Sequence, residues 1–244
     1  VCALVGASPR PHPSFPVLAA LRESLGPGVA WEEIHDVRLA GSRFQRPLKE
    51  WVTARPGVCW VLTGSSPLLQ RWFQRQTLPT LVLGSCAEGV SLPSVDLDYR
   101  AVGWHAAGQL LRAGCERFAL ILPAHPLAGD EATWAGFSDY LARRALPPPV
   151  AIRWNPQAMH DGCAAVDRFL KPPRRSGFLI FRSLITLTVL THLLRRGVRV
   201  PEEAALIARD SEPFFQAILP LPARYESAPE ARARRAARIL RALG

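Results

Sequence analysis

Leu193-Leu194-Arg195-Arg196-Gly197-Val198-Arg199-Val200-Pro201-Glu202-Glu203-Ala204-Ala205-Leu206-Ile207 reads as the end of one element and the start of the next. Leu187, Leu190 and Leu194 form a helical stripe running into this stretch. Gly197 follows it, where a left-handed residue ends a helix without a Cβ clash, and Pro201 blocks resumption. The apolar run at 204–208 then has strand length. A helix followed directly by a wholly apolar strand is half of a βαβ unit, and it predicts a parallel sheet covered on both faces.

Outward from this stretch the same alternation continues almost from end to end. Strands are predicted at 1–7, 29–34, 57–63, 79–84 and 94–97, with helices at 15–25, 44–55 and 66–76 between them. A second set places strands at 117–122, 149–154, 177–181 and 204–208, with helices at 99–113, 130–144, 157–170, 183–196 and 211–219. A short strand at 223–227 leads into a last helix at 229–242. In the helix at 99–113, Val102, Ala106, Leu110 and Ala113 make one stripe, and Gly114 ends it. The chain shows no solenoid repeat, and Leu146-Pro147-Pro148-Pro149 is a stiff local connector. With 244 residues, 48% of them hydrophobic, it suits one large α/β domain or two lobes with separate cores.

Composition excludes several classes. The longest apolar runs, such as Val58 to Thr63 and Leu78 to Leu83, are far shorter than the roughly 20 residues of a membrane helix, so no membrane partner is expected. The net charge of +10 would suggest nucleic acid. Lysine, however, occurs only at Lys49 and Lys171, and the richness in Arg, Ala, Pro and Leu matches GC-rich coding. The cluster Arg232, Arg234, Arg235, Arg238 and Arg241 is read as a solvated helix face. Cys2, Cys59, Cys86, Cys115 and Cys163 form no CxxC or Cys/His ligand set, which predicts buried thiols in a reducing cytoplasm. His12, His35, His105, His125, His160 and His192 show no metal-ligand pair, and no metal or cofactor is expected. The absence of GxGxxG, P-loop and GxSxG motifs weighs against an enzyme.

Three stretches in order resemble the effector-binding region of the lactose-repressor/galactose-repressor (LacI/GalR) family. The first runs from Leu78-Pro79-Thr80-Leu81-Val82-Leu83 through Ser94-Val95-Asp96-Leu97-Asp98 to Gly103, His105-Ala106-Ala107, Leu110-Leu111 and Gly114-Cys115-Glu116-Arg117. It is similar to the family's "IPVV" strand, "V-x-x-D" crossover and "HLL-x-x-GH-x-x-I" helix end. The second is Gly136-Phe137, and the third is the opening quotation, which resembles "L-x-x-x-G-x-x-VP-x-D-V-S-V-I" most closely. Pro13-Ser14-Phe15 is a weak echo of "NPFF".

The resemblance implies an α/β fold of the type I periplasmic-binding-protein-like kind: two doubly wound parallel-sheet lobes with the ligand in a cleft between them. One lobe is expected over 1–98 and 224–244, the other over 99–223. It also implies a small polar effector (a sugar, sugar acid or related metabolite), a homodimer, and operator DNA bound through an upstream DNA-binding segment not contained in this sequence. A solute-binding protein of a transporter shares the fold and is the alternative, with an α/β enzyme more distant. "VPEEAALI" and the crossover helix favour the regulator, and the segment preceding Val1 in the gene product would discriminate, as a helix-turn-helix or an export signal.

In open parallel sheets ligands sit beyond the carboxyl ends of strands. That rule selects Ser8 and Arg10, Gly64-Ser65-Ser66, Ser85-Cys86, Asp130-Glu131, Arg182-Ser183 and Arg209-Asp210, with Thr133 and Trp134 in the helix that begins near Asp130. For each serine the simpler reading is an N-cap, and for Trp134 it is packing. By resemblance, Asp210 matches the first Asp of "GFDD", with Ala208-Arg209 before it and Ser211 after. Arg182, followed by Ser183, takes the place of the Asn of "ND". Thr133 replaces an Arg that often grips sugars, and Gly84 the Asp after "IPVV". These departures point away from the usual sugar. Two arginines at such an edge suit a carboxylate or phosphate, unless Arg182 simply pairs with Asp210 within the protein.

Overall fold

The computed structural model describes residues 1–5, 15–36, 39, 44–171 and 174–243. The chain forms two compact units, Val1–Leu97 with Ala228–Gly244, and Asp98–Ser227. The first holds β1 (Cys2–Val5), α1 (Phe15–Leu25), β2 (Glu32–His35), α2 (Gln45–Thr53), β3 (Trp60–Thr63), α3 (Pro67–Gln76), β4 (Thr80–Leu83) and β5 (Ser94–Val95). The second holds α4 (Tyr99–Arg112), β6 (Arg117–Pro123), α5 (Ala128–Ala142), β7 (Val150–Trp154), α6 (Met159–Phe169), β8 (Ser176–Ile180), α7 (Ser183–Arg195), β9 (Ala204–Ala208) and β10 (Ala223–Arg224). The last helix, α8 (Pro229–Leu243), returns to the first unit.

Both sheets are parallel and share one winding, β2-β1-β3-β4-β5 in the first unit and β7-β6-β8-β9-β10 in the second. The strand order reverses between β1 and β3, and again between β6 and β8, so each unit has a switch point where the flanking loops diverge. The period of two sorts the second core. Phe118, Leu120 and Leu122 pack with Leu110 of α4 and Phe137 and Leu141 of α5. The intervening Ala119 and Ile121 pack with Val166 of α6 and Val189 and Leu193 of α7. In the first unit Val61 joins Leu18 and Ala236, whereas Trp60 and Leu62 join Leu48 and Phe73. A strand covered on both faces has to be apolar at every position, which is why these segments read as continuous runs.

Gly114 and Gly197 lie one residue past the helix C-caps, Ala113 and Arg196, at φ 79° and 71°, as their position after the stripes predicts. Three local expectations need correction. The buried stripe of α7 runs through Thr186, Val189, Leu190 and Leu193, leaving Leu194 exposed, because the sheet-facing side is rotated from the Leu187–Leu190–Leu194 line. The helix expected at 211–219 is a 3-10 turn, Pro213–Ala217, begun by one proline and followed by Pro220 and Pro222. The strand expected at 223–227 is only Ala223–Arg224. It pairs with Ile207 and Ala208, and the Tyr225 amide still donates to the Ala208 carbonyl at 3.1 Å, which keeps 224–227 with the second unit. On α8 the buried face is Ala233, Ala236, Ala237 and Leu240, while Arg234, Arg235, Arg238 and Arg241 are exposed. Arg232 departs from that solvated face, partly buried with a nitrogen 4.0 Å from Asp96. The cysteines are free thiols; Cys2 and Cys115 are buried and the others half-buried.

Helices α4 and α5 cross closely because two glycines leave room. A Cβ on Gly103 would run into the Thr133 carbonyl oxygen, and one on Gly136 into the Arg100 carbonyl oxygen. Neither obstacle is a flexible side-chain end, so the helices themselves would have to separate. Gly103→Ala and Gly136→Ala should each destabilise the protein by about 1–3 kcal/mol or more. Gly28→Ala, at a position with open space around it, should leave the melting temperature nearly unchanged. Thermal melting of the three variants checks this, and equal melting for all three would contradict the close-crossing account.

Candidate functional site

Three adjacent strands of the second unit, β6, β8 and β9, end at one edge, and each hands the chain to a charged residue. After β6 the loop enters α5, whose third residue is Asp130. Arg182 follows β8 as the N-cap of α7, and Arg209 and Asp210 follow β9. Asp130 and Arg182 thus flank the switch point between β6 and β8.

Asp130 is 2% exposed and its carboxylate is saturated. Arg182 grips it with both terminal nitrogens, Nη1 to Oδ1 at 3.0 Å and Nη2 to Oδ2 at 2.9 Å. Arg209 Nη1 donates to Oδ1 at 2.6 Å, and the Leu127 amide donates to Oδ2 at 2.9 Å, closing the first turn of α5. A carboxylate has about four acceptor sites, and all are used. Burial works against its charge, but the Arg209 and Arg182 guanidiniums outweigh that and hold its pKa below the ordinary 3.8.

Arg209 is the most enclosed charge of the group, its side chain 5% exposed. Its guanidinium lies over the Tyr99 ring at 4.6 Å and the Phe181 ring at 4.7 Å. Its Nε donates to Asp210 Oδ1 at 3.1 Å, and its Nη1 also reaches the Thr133 hydroxyl at 3.5 Å. Burial opposes this charge too, and Asp210 and Asp130 more than offset it, so its pKa is raised. Asp210 has one oxygen left over. Oδ2 is buried, accepts no hydrogen bond, and lies 3.8 Å from Arg182 Nη1. Glu212, two residues on, has its pKa raised by burial and then by the nearby Asp210.

Four residues selected from the sequence, Asp130, Thr133, Arg182 and Asp210, therefore meet at one edge. Arg182 does pair with Asp210, at 3.8 Å, but its closer partner is Asp130, whose carboxylate fills its fork. Trp134 packs against the core beside Phe137 and Tyr140. In the first unit, Ser65 accepts a hydrogen bond from Gln70 Nε2 at 2.9 Å, and Ser85 donates to Asp96 at 2.6 Å. The N-cap of α3 is Ser66, which accepts from the Leu69 amide at 3.3 Å. Ser8 and Arg10 lie outside the described residues. The sequence places Arg209 past a strand end as one of two arginines suited to an anion, but does not single it out as a buried charge. Its signal is there nonetheless: an arginine directly after a five-residue buried strand has no short way to solvent. A depression lined by Leu18, Arg22, Trp31 and Glu33 opens at the amino end of β2, away from the strand ends that gather polar groups. Among the described residues no group of His, Cys, Asp and Glu could hold a metal ion, and no helix is long and apolar enough to cross a membrane.

Two parallel sheets of identical winding, each with a switch point, define a doubly wound class of α/β protein. The family of periplasmic binding protein-like domains matches residues 107–243, more than half of the chain, and the chain belongs to that family. Among solved structures, a LacI family transcriptional regulator from Mycobacterium smegmatis is 17% identical, with 100% of this chain and 90% of that chain covered and a TM-score of 0.82. The transcription regulator CcpA of Lactococcus lactis is 16% identical over 99% of this chain and 90% of that one, TM-score 0.78. A LacI family transcriptional regulator from Silicibacter pomeroyi is 19% identical over 99% and 92%, TM-score 0.81. No curated protein matches the chain. The fold is thus the type I periplasmic-binding-protein-like one that the sequence motifs imply.

Removing one member of a buried ion-pair group strands the others, at a cost of about 3–5 kcal/mol. Arg209→Met should therefore lower stability by about that amount at neutral pH, since Asp130 and Asp210 both lose a partner. Asp130 has a depressed folded pKa, so its contribution is complete above the ordinary carboxyl value of 3.8 and is lost as pH falls through the lower folded value. The gap between native and variant should accordingly narrow below pH 3.8. Urea unfolding at several pH values measures it; a gap that stays constant through the acid range would contradict the assignment.

Proposed function

We propose that this chain is the effector-sensing part of a bacterial transcription regulator and not an enzyme. It binds a small polar molecule at the edge formed by the ends of β6, β8 and β9. The single observation that carries this reading is the Asp130–Arg182–Arg209–Asp210 cluster at the switch point, with one buried Asp210 oxygen lacking a donor. The family match and the fold shared with regulators support it. In this reading the effector works by favouring one of two arrangements of the protein, and operator DNA is bound by a segment upstream of Val1. The location is cytoplasmic, in keeping with free thiols.

Two half-sites on DNA call for a two-fold symmetric reader, so the working state is a homodimer. Leu219 and Leu221, 87% and 55% exposed, supply apolar surface on the second unit for such pairing. Light scattering should give twice the mass of 26.8 kDa, and Leu219→Glu should shift the population toward monomer. A strictly monomeric native chain at high protein concentration would count against the regulator.

A thermal-shift screen of sugars, sugar acids, amides and amines identifies an effector. With that effector, Asp210→Asn should weaken binding by about 1.5–3 kcal/mol, the worth of a charged hydrogen bond, because it keeps the volume and removes the charge. Titration calorimetry with both proteins decides the point. Unchanged affinity in Asp210→Asn would remove Asp210 from recognition. A helix-turn-helix upstream of Val1 in the gene product supports the regulator, and an export signal there supports a transporter's solute-binding protein instead.

A further inference from the structure

Arginines at a strand edge ordinarily suggest an anionic ligand, because a guanidinium fork matches a carboxylate or phosphate. Here the fork is taken. Arg182 holds Asp130 through two parallel hydrogen bonds of 3.0 and 2.9 Å, the arrangement in which it would hold a ligand's carboxylate. Arg209 adds a third at 2.6 Å, and the Leu127 amide a fourth at 2.9 Å. Asp130 is 2% exposed and anchored in the first turn of α5, so it does not swing away to make room.

We infer that Asp130 is a built-in anion that occupies the guanidiniums of Arg182 and Arg209, and that it thereby restricts the effector to groups that donate hydrogen bonds, such as a hydroxyl, amide or amine, against carboxylates and phosphates. This rests on the reading of this edge as the ligand site. Two aspartates balance two arginines, so the group is neutral as it stands. An incoming anion would meet arginines already committed, and its charge would lie beside Asp130 and Asp210, a like-charge arrangement that disfavours binding. The group still without a hydrogen bond is an acceptor, Asp210 Oδ2, with only the Arg182 Nη1 charge at 3.8 Å, and it suits a donor from the ligand. Arg182, 29% exposed, remains accessible beside it.

Asp130→Ala tests the inference by gain of function. It leaves two guanidiniums around a space of carboxylate size, which formate or acetate fills. Melting temperatures of native protein, Asp130→Ala and Asp130→Asn are measured with formate, acetate and phosphate against chloride at matched ionic strength, with titration calorimetry for affinity. The native chain should show no difference between these anions and chloride. Asp130→Ala should melt early in chloride and regain stability saturably with formate or acetate, binding them at least about tenfold more tightly than the native chain. Asp130→Asn, which fills the space, should not respond. Should Asp130→Ala fail to fold in chloride, its refolding yield in formate gives the same reading, recovery supporting the inference and no recovery opposing it. Saturable binding of formate, acetate or phosphate by the native chain, or an Asp130→Ala that ignores all three, overturns it. If rescue fails while Asp210→Asn still weakens effector binding, only this inference falls. If rescue succeeds while Asp210→Asn binds normally, the built-in anion stands and the site reading falls.

Discussion

A guanidinium withdrawn from water carries a penalty of several kcal/mol, which only close partners of opposite charge can offset. Arg209 meets that condition in a confined way: Asp210 on Nε, Asp130 on Nη1, and the faces of Tyr99 and Phe181 on either side. Those partners come from α4, the α5 entrance, the end of β8 and the end of β9, so the buried charge fixes how four elements meet. The close crossing of α4 and α5 is part of the same constraint. Gly103 lets the Thr133 backbone approach α4, and the hydroxyl of that same Thr133 is within 3.5 Å of Arg209. Spreading the helices would therefore also loosen the polar end of the sheet.

Most of the architecture is legible in the sequence because parallel sheets leave a strong trace. Strands buried on both faces cannot alternate, so Trp60–Thr63, Thr80–Leu83 and Ala204–Ala208 stand out as unbroken apolar runs. Glycines at 114 and 197 then punctuate the helices before two of the strands. The errors fall where local pattern is weak. Leucines at 187, 190 and 194 satisfy a helical period, yet the sheet selects the neighbouring line through Thr186 and Val189, and period alone cannot choose between adjacent lines. The segment 211–219 is apolar enough for a helix, but its flanking prolines allow only a single tight turn.

The site is legible in its location and less so in its wiring. The rule that polar groups gather beyond strand ends selects Asp130, Arg182 and Asp210 from three separate stretches. It says nothing of which charge faces which. Pairing Arg182 with Asp210 is the natural guess, since both follow neighbouring strands. The structure gives Arg182 to Asp130 across the switch point, because α5 begins there and directs its third residue inward. The resembled family carries an arginine where this chain has Thr133. Here a guanidinium reaches Thr133 from Arg209, just past the end of β9. Two residues 76 positions apart are not seen to meet without the fold.

The strand ends of the two units are tied by different chemistry. In the first, the ends of β3 and β4 are tied by a neutral side chain: Gln70 joins the Ser65 hydroxyl, the Ser85 carbonyl and the Ala87 amide, so its donors and acceptor are used internally. In the second, Asp130, Arg182 and Arg209 at the strand ends are tied to one another as charges, and Asp210, whose Oδ1 is fixed by Arg209, keeps a buried Oδ2 that accepts no hydrogen bond. A buried acceptor left without a donor costs about 1–3 kcal/mol, and folded proteins leave few of them. Held by Arg209 at one oxygen and without a hydrogen bond at the other, Asp210 is the acceptor on which the proposed effector site rests, at a place where Arg182 and Arg209 are already engaged by Asp130.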